Sequence, residues 1–293
     1  MGYLFILITV ILNVLKGLCS KKVSLRLDGM SDNISLNLLR NSICVIIGGV
    51  ILALGGTGFA MPRMGWLICA VSGVFFSFNY IVWIIALKTD AYMFCSAANN
   101  ASFIISALCG IIFFGESLTF PKALGAVLVL IAMYFMTLYQ NSFGGKPSKF
   151  DLLMLFLVFF TAGMNTSIQK WFTKALPDTS VQLYTFYTFA FSILFLIVYR
   201  LIVKSPQGFG KQLSTLKTLL PWTLAMSLGV YGATYFQARA AALLDAVVVY
   251  PLNSGMNLIG ASLMAWAAFK EKPNRYSIIG AILIFAALVL SRL

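Results

Sequence analysis

Apolar runs of membrane length, repeated along nearly the whole chain, leave it few places to fold. Charge-free stretches cover residues 43–62, 64–87, 91–115, 123–145, 179–199, 218–238 and 246–269. Shorter or interrupted ones lie at 2–15, 152–169 and 276–291. A helix that crosses a bilayer takes about 20 mostly apolar residues, and flanking lysines can snorkel to the headgroups. The runs predict ten spanning helices, with the ends of the short outer two least defined. Hydrophobic residues make up 60% of the 293 and charged ones 10%, too little charge to cover a water-soluble surface. The expected class is an all-α integral membrane protein.

The remaining bulk features exclude more than they assign. A net charge of +13 invites a nucleic-acid partner, but the lysines and arginines are scattered through short loops, not gathered in a basic domain. No nucleic-acid partner is expected; retention of charge on one membrane face accounts for the bias. The chain has no histidine, which removes histidine-based metal sites and general bases, and neither a metal nor another cofactor is expected. The five cysteines (Cys19, Cys44, Cys69, Cys95 and Cys109) form no C-x-x-C pair and read as small buried residues. No basic residue precedes the first apolar run and no small-residue cleavage site follows it, so it reads as a retained helix.

A displacement of 155 positions lays "FFGESLTFPKALGAVLVLIA" over "AFKEKPNRYSIIGAILIFAA" without a gap. Glu116 then falls on Glu271, Gly125 on Gly280 and Ala132 on Ala287; upstream, Tyr80 meets Tyr235, Asp90 meets Asp245 and Ala91 meets Ala246. Two homologous halves follow, 1–142 and 151–293, joined by a polar linker at 143–150. Five helices per half is an odd number, so the second half enters the membrane from the opposite side. The expected architecture is two inverted five-helix repeats, a common plan for secondary transporters. Glu116 and Glu271 would then sit at hairpin bends on opposite faces, too far apart to act together. Each is expected to cap the helix that follows it, whose N-terminal dipole favours an anion. Ala98, Ser102, Ser106 and Gly110 recur every four residues on the fourth helix, opposite Asn253, Asn257, Ala261 and Ala265 on the ninth. Close helix packing is the first expectation for this stripe, and a cavity lining the second.

The tandem plan resembles the drug/metabolite transporter superfamily, in particular its EamA-like branch. The resemblance is carried by "GESLTFPKALGAVLVLIA", with glutamate nine positions before glycine, and its echo from Glu271 to Gly280. The Tyr80-to-Ala86 spacing and "LNLLRNS", with Arg40, add to it. Lys270 departs from the pattern by replacing the glycine before the second glutamate; Lys16 stands where its aligned partner is Asn165. The resemblance implies alternating access for a small solute and leaves the cargo open.

Polar groups inside a bilayer cluster where water or partners satisfy them. Here they concentrate in corresponding helices of both halves. Candidate substrate-binding residues are Asn13 and Lys16 on the first helix and Asn165 and Gln169 on the sixth. The third supplies Asn79, Tyr80 and Trp83, the eighth Tyr231 and Tyr235. The fourth supplies Asn99 and Ser102, the ninth Asn253 and Asn257. The competing expectation is that many of these simply bond neighbouring helices. Pro251 frees the carbonyl of Val247 and predicts a kink in the ninth helix. All eight acidic residues fall in loops or at helix ends, so no intramembrane carboxylate is available for proton-for-cation exchange. Lys16 is the most interior charge, either facing the cavity or snorkelling toward Lys21 and Lys22; Arg40 and Arg239 are placed near helix ends.

Amides, hydroxyls and aromatic rings suit a neutral, zwitterionic or anionic metabolite, with amino acids and related solutes first. Export of drug-like cations is the alternative within the transporter class. An intramembrane lipid-modifying enzyme is the alternative outside it, though the chain offers no convergent catalytic residues. Partners are therefore the solute and the lipid bilayer. On the side of the termini, loops hold Arg63, Lys122, Lys170, Lys174 and Arg239, with Arg292 at the end. The other side holds thirteen of the 21 basic residues, from Lys21 to Arg275. The positive-inside rule then predicts both termini outside a bacterial plasma membrane.

Overall fold

With no water in the hydrocarbon layer, each spanning segment must satisfy its own backbone, and the helix does this locally. A computed structural model of the protein describes residues 1–24, 30–56, 58–87, 98–138, 149–202, 209–269 and 275–290, and helices are the only regular structure among them. In chain order they are α1 (Gly2–Ser24), α2 (Met30–Gly55), α3 (Arg63–Leu87), α4 (Phe103–Phe114) and α5 (Phe120–Leu138), then α6 (Lys149–Ala175), α7 (Val181–Ile202), α8 (Phe209–Leu243), α9 (Ala246–Phe269) and α10 (Arg275–Leu290). Gly2–Ser20, Ser31–Gly55, Arg63–Trp83 and Val181–Ile202 are each long and apolar enough by themselves to cross a membrane. Asp28, Asp90, Cys95 and Glu271 lie outside the described residues.

Helix ends differ from the charge-free runs for a physical reason. A run ends at the first charge, whereas a helix continues wherever that charge finds partners inside the bundle. Thus α2 begins at Met30, and Arg40, expected near an end, lies roughly three turns inside it. Likewise α6 continues through Lys170, expected in a loop, to Ala175. α9 runs as one helix across Pro251. The interruption falls in the first half, where a helical turn at 98–101 is separated from α4 by a turn at Ser102. Ser102 Oγ donates to Asn99 O at 2.6 Å, the kind of side-chain bond that competes with a regular helix.

Packing follows an inverted two-fold. The repeats pair α1 with α6, α2 with α7, α3 with α8, α4 with α9 and α5 with α10. α1 packs chiefly on α8, and its counterpart α6 packs on α3; α2 meets α7, α4 meets α9 and α5 meets α10. Several contacts break the symmetry among the described residues: α9 packs on both α5 and α10, whereas its counterpart α4 packs comparably on neither, and α6 also packs on α8, with no comparable packing of α1 on α3. Close approach rests on small residues, as lipid supplies no hydrophobic drive between helices. A Cβ on Gly73 would lie 2.8 Å from Ser192 N on α7. The small-residue stripe of α4 also serves packing. Ser106 Oγ bonds the Thr166 hydroxyl and donates to Gly163 O at 3.3 Å on α6. Outward, Phe113, Ile112 and Phe285 are 73%, 68% and 70% exposed, a surface fit for acyl chains.

Candidate solute-binding site

The polar interior is assembled from helices of both repeats. On α1, Lys16 passes close to α8, where a Cβ on Gly229 would lie 3.3 Å from Lys16 Cβ. The Lys16 ammonium donates to Asn13 Oδ1 at 2.9 Å. It therefore reaches back one turn toward the bundle interior, away from Lys21 and Lys22, which is the direction helical side chains favour. Asn13 Nδ2 in turn donates to Asn257 Oδ1 at 3.3 Å, joining α1 to α9. Asn253 lies one turn from Asn257 on α9, so the two share a face. Asn253 is buried, and its Oδ1 meets no donor among the described residues.

Arg40 is the group that inspection of the sequence underrated. It is 4% exposed, and its guanidinium lies over the Tyr80 ring at 4.5 Å and the Phe76 ring at 5.8 Å. Nε and Nη2 both donate to Asn41 Oδ1, at 3.2 and 3.1 Å. Asn41 Nδ2 continues to Ser192 Oγ at 2.7 Å, and Ser192 Oγ bonds Ser77 Oγ at 2.6 Å. This network fixes α2 against α7 and α3. Among the described residues no carboxylate lies within 4.0 Å of Arg40 or of Lys16. Both cations lie against one stretch of α8, where Ser227 Oγ donates to Arg40 O at 3.3 Å and a Cβ on Gly229 would lie 3.3 Å from Lys16 Cβ. Arg40 had a visible signal in "LNLLRNS", but its place just before a charge-free run put it near a helix end.

The other candidates divide. Asn79 Nδ2 donates to Thr161 Oγ1 at 2.9 Å and so bonds α3 to α6. Gln169 Nε2 donates to Thr234 O at 3.3 Å, and Tyr250 OH donates to Gln169 Oε1 at 3.5 Å, joining α6, α8 and α9. Trp83 packs beside Val82, Met154 and Val158. Asn99 and Ser102 form the interrupted turn of the fourth span. Asn165 is half-buried on α6. Tyr235 packs against Phe236, with ring centroids 5.2 Å apart. Tyr231 stacks on Phe189, and its buried hydroxyl has no partner among the described residues. The structure thus joins Asn13, Lys16 and Asn257 and, against the same stretch of α8, sets Arg40 over Tyr80. It assigns Asn79 and Gln169 to bonds between helices.

Glu116 caps a helix, but not the expected one. Gly115, at φ 63°, ends α4 in the left-handed region that glycine enters freely. Glu116 then turns inward, and its Oε2 accepts the backbone N–H of Ala246 at 2.7 Å. Ala246 opens α9 of the second repeat, so the capped dipole is not that of α5. The other carboxylate oxygen lies 2.9 Å from Lys170 Nζ, in an ion pair whose side chains are 1% and 2% exposed. That oxygen has no aligned hydrogen-bond donor and is held by the charge of the ammonium. Lys170 also donates to Ala241 O at 2.8 Å and Leu244 O at 2.6 Å, carbonyls at the end of α8. Beside it, Lys122 pairs with Asp245 at 2.7 Å, and Tyr187 OH donates to Phe59 O at 2.7 Å. These bonds tie the repeats together on the face of the termini.

The sequence model of the EamA-like transporter family matches residues 1–138 and 149–293. No curated protein matches the chain. A solved structure titled "Crystal structure of protein" aligns over 99% of this chain and 96% of its own, with a TM-score of 0.78 at 14% sequence identity. A likeness at that identity establishes the fold.

Proposed function

Because the chain belongs to the EamA-like transporter family, an integral multi-pass family that moves small solutes, we propose that it carries an amino acid or related metabolite by alternating access. The observation that supports this is the meeting of Lys16, Asn13 and Asn257 inside the bundle, on helices from opposite repeats. A site shared by two repeats changes shape when they move against each other. The unequal packing of α6 on α8 and α1 on α3 fits one arrested half of such a cycle, shut on the face of the termini. Asn13, Lys16, Tyr80, Asn253 and Asn257 are the residues we assign to solute contact. Tyr231 contributes a hydroxyl that has no partner among the described residues. Export of cations is disfavoured because the guanidinium of Arg40 already occupies a face of Tyr80. A lipid-modifying enzyme would need an activated nucleophile or an acid–base pair, and this cluster offers neither.

Uptake of labelled amino acids and small organic acids into proteoliposomes, with mass spectrometry of the recovered solute, tests the class. Flux of unchanged solute is expected. Chemical conversion without flux would refute transport. Lys16→Met should lower flux by about tenfold or more, the loss of a hydrogen bond to a charged group. Its yield and thermal midpoint should stay near those of the wild type. Unimpaired flux in both Lys16→Arg and Lys16→Gln would remove Lys16 from the site.

A further inference from the structure

The fold buries Lys170 and Arg40 and half-buries Lys16, and the contrast between their partners bears on the cargo. Lys170 receives a carboxylate and two backbone carbonyls. Lys16 receives one amide oxygen, and Arg40 one amide oxygen and the faces of two rings. A buried charge without a counter-charge is costly, and two of like sign near each other cost more. Their donors are also largely unused. A guanidinium has five N–H groups and an ammonium three; Arg40 spends two and Lys16 one on side chains described here.

We propose, building on the transport reading, that Lys16 and Arg40 form an oxyanion-binding pair and that the cargo is a small organic anion. Its carboxylate or phosphate oxygens take the unused donors of both cations. Asn41, Ser192 and Ser77 hold the guanidinium in place from behind. Asn13, bridging Lys16 to Asn257, sets the position of the ammonium. Asn253 Oδ1, a buried acceptor without a donor among the described residues, is left for a hydroxyl or amine of the same solute. A purely cationic solute would meet two like charges at the centre of the site. Among the amino acids and related metabolites of the transport reading, acidic ones therefore suit the pair best, since among the described residues no carboxylate lies within 4.0 Å of either cation to answer a zwitterion's ammonium.

The test uses the purified full-length protein, with succinate, glycerol 3-phosphate, alanine, choline and inorganic phosphate as probes. Thermal stabilisation by succinate or glycerol 3-phosphate is expected, and which of the two acts separates carboxylate from phosphate recognition. Lys16→Gln and Arg40→Gln should each weaken that binding by about tenfold or more, the loss of a charged hydrogen bond. Lys16→Arg should retain it. Without ligand, Lys16→Gln should be at least as stable as the wild type, because one of two like charges is gone. Should Arg40→Gln not fold, Arg40→Lys, with the charge but not the fork, should bind more weakly than the wild type. Stabilisation by alanine or choline alone, or anion binding indifferent to both substitutions, would overturn the proposal. Stabilisation by inorganic phosphate alone would mark an adventitious ion only and overturn it as well. Flux in proteoliposomes distinguishes the two levels. Alanine flux without anion binding or flux refutes the anion site and leaves transport standing. Lys16-dependent anion binding without flux of any solute refutes transport and leaves the anion site standing.

Discussion

At the scale of single residues, polar side chains on neighbouring turns do different work, and substitution separates them. Asn79 bonds Thr161 across two helices. Asn79→Leu should cost stability of about 0.6 kcal/mol, the average for polar contacts between membrane helices, and leave solute affinity unchanged in a binding titration. Tyr231→Phe should do the reverse. Its hydroxyl is buried without a partner among the described residues, so removing it should leave the thermal midpoint level or higher while weakening solute binding. If binding is untouched, Tyr231 is a packing residue. Both side chains carry the same signal in the sequence, a polar group inside an apolar run. Periodicity locates such a group along its helix, whereas its partner on another helix depends on crossing geometry that no local pattern encodes. Arg40 was missed for a related reason. Its position in α2 is tolerable because Asn41, Tyr80 and Phe76 surround it, and only Asn41 is a sequence neighbour.

Among the elements, the corner between α8 and α9 is the most tightly specified. Lys170 takes the carbonyl end of one helix, Glu116 takes the amide end of the next, and the two charges meet. Each helix end thereby gains the charge its dipole favours. Gly110 on α4 leaves the room, since a Cβ there would lie 2.6 Å from Glu116 Oε2. Lys170→Met should destabilise the protein by about 3–5 kcal/mol, because the remaining carboxylate stays buried without its counter-charge. Adding Glu116→Gln to that variant should cost much less than adding it to the wild type. Chemical or thermal unfolding of the four proteins measures the coupling, and strictly additive losses would mean that the two residues act apart. The sequence announced Glu116 through its echo at Glu271 and made it a helix cap. It withheld which helix, because the amide that Glu116 accepts lies 130 residues away in the chain.

For the whole molecule, the duplication was legible because matched residues survive at one displacement, and an odd number of helices per half fixes the inversion. The asymmetry between the halves was not legible, since related patterns can adopt unlike arrangements. Orientation in the membrane is a separate property, set by the basic residues between spans. A cysteine introduced before residue 3 should react with a membrane-impermeant thiol reagent in intact cells; protection from the reagent would place the termini in the cytoplasm. The ion pair of Glu116 with Lys170 also bears on how the protein is made. A ribosome delivers the first repeat complete before either partner of Glu116 has been made. Its counter-charge arrives with α6, and the amide it caps arrives only when α9 begins. The first repeat therefore cannot reach its final structure alone, and a nascent chain arrested in the linker would present an unpaired carboxylate to the membrane's quality-control machinery.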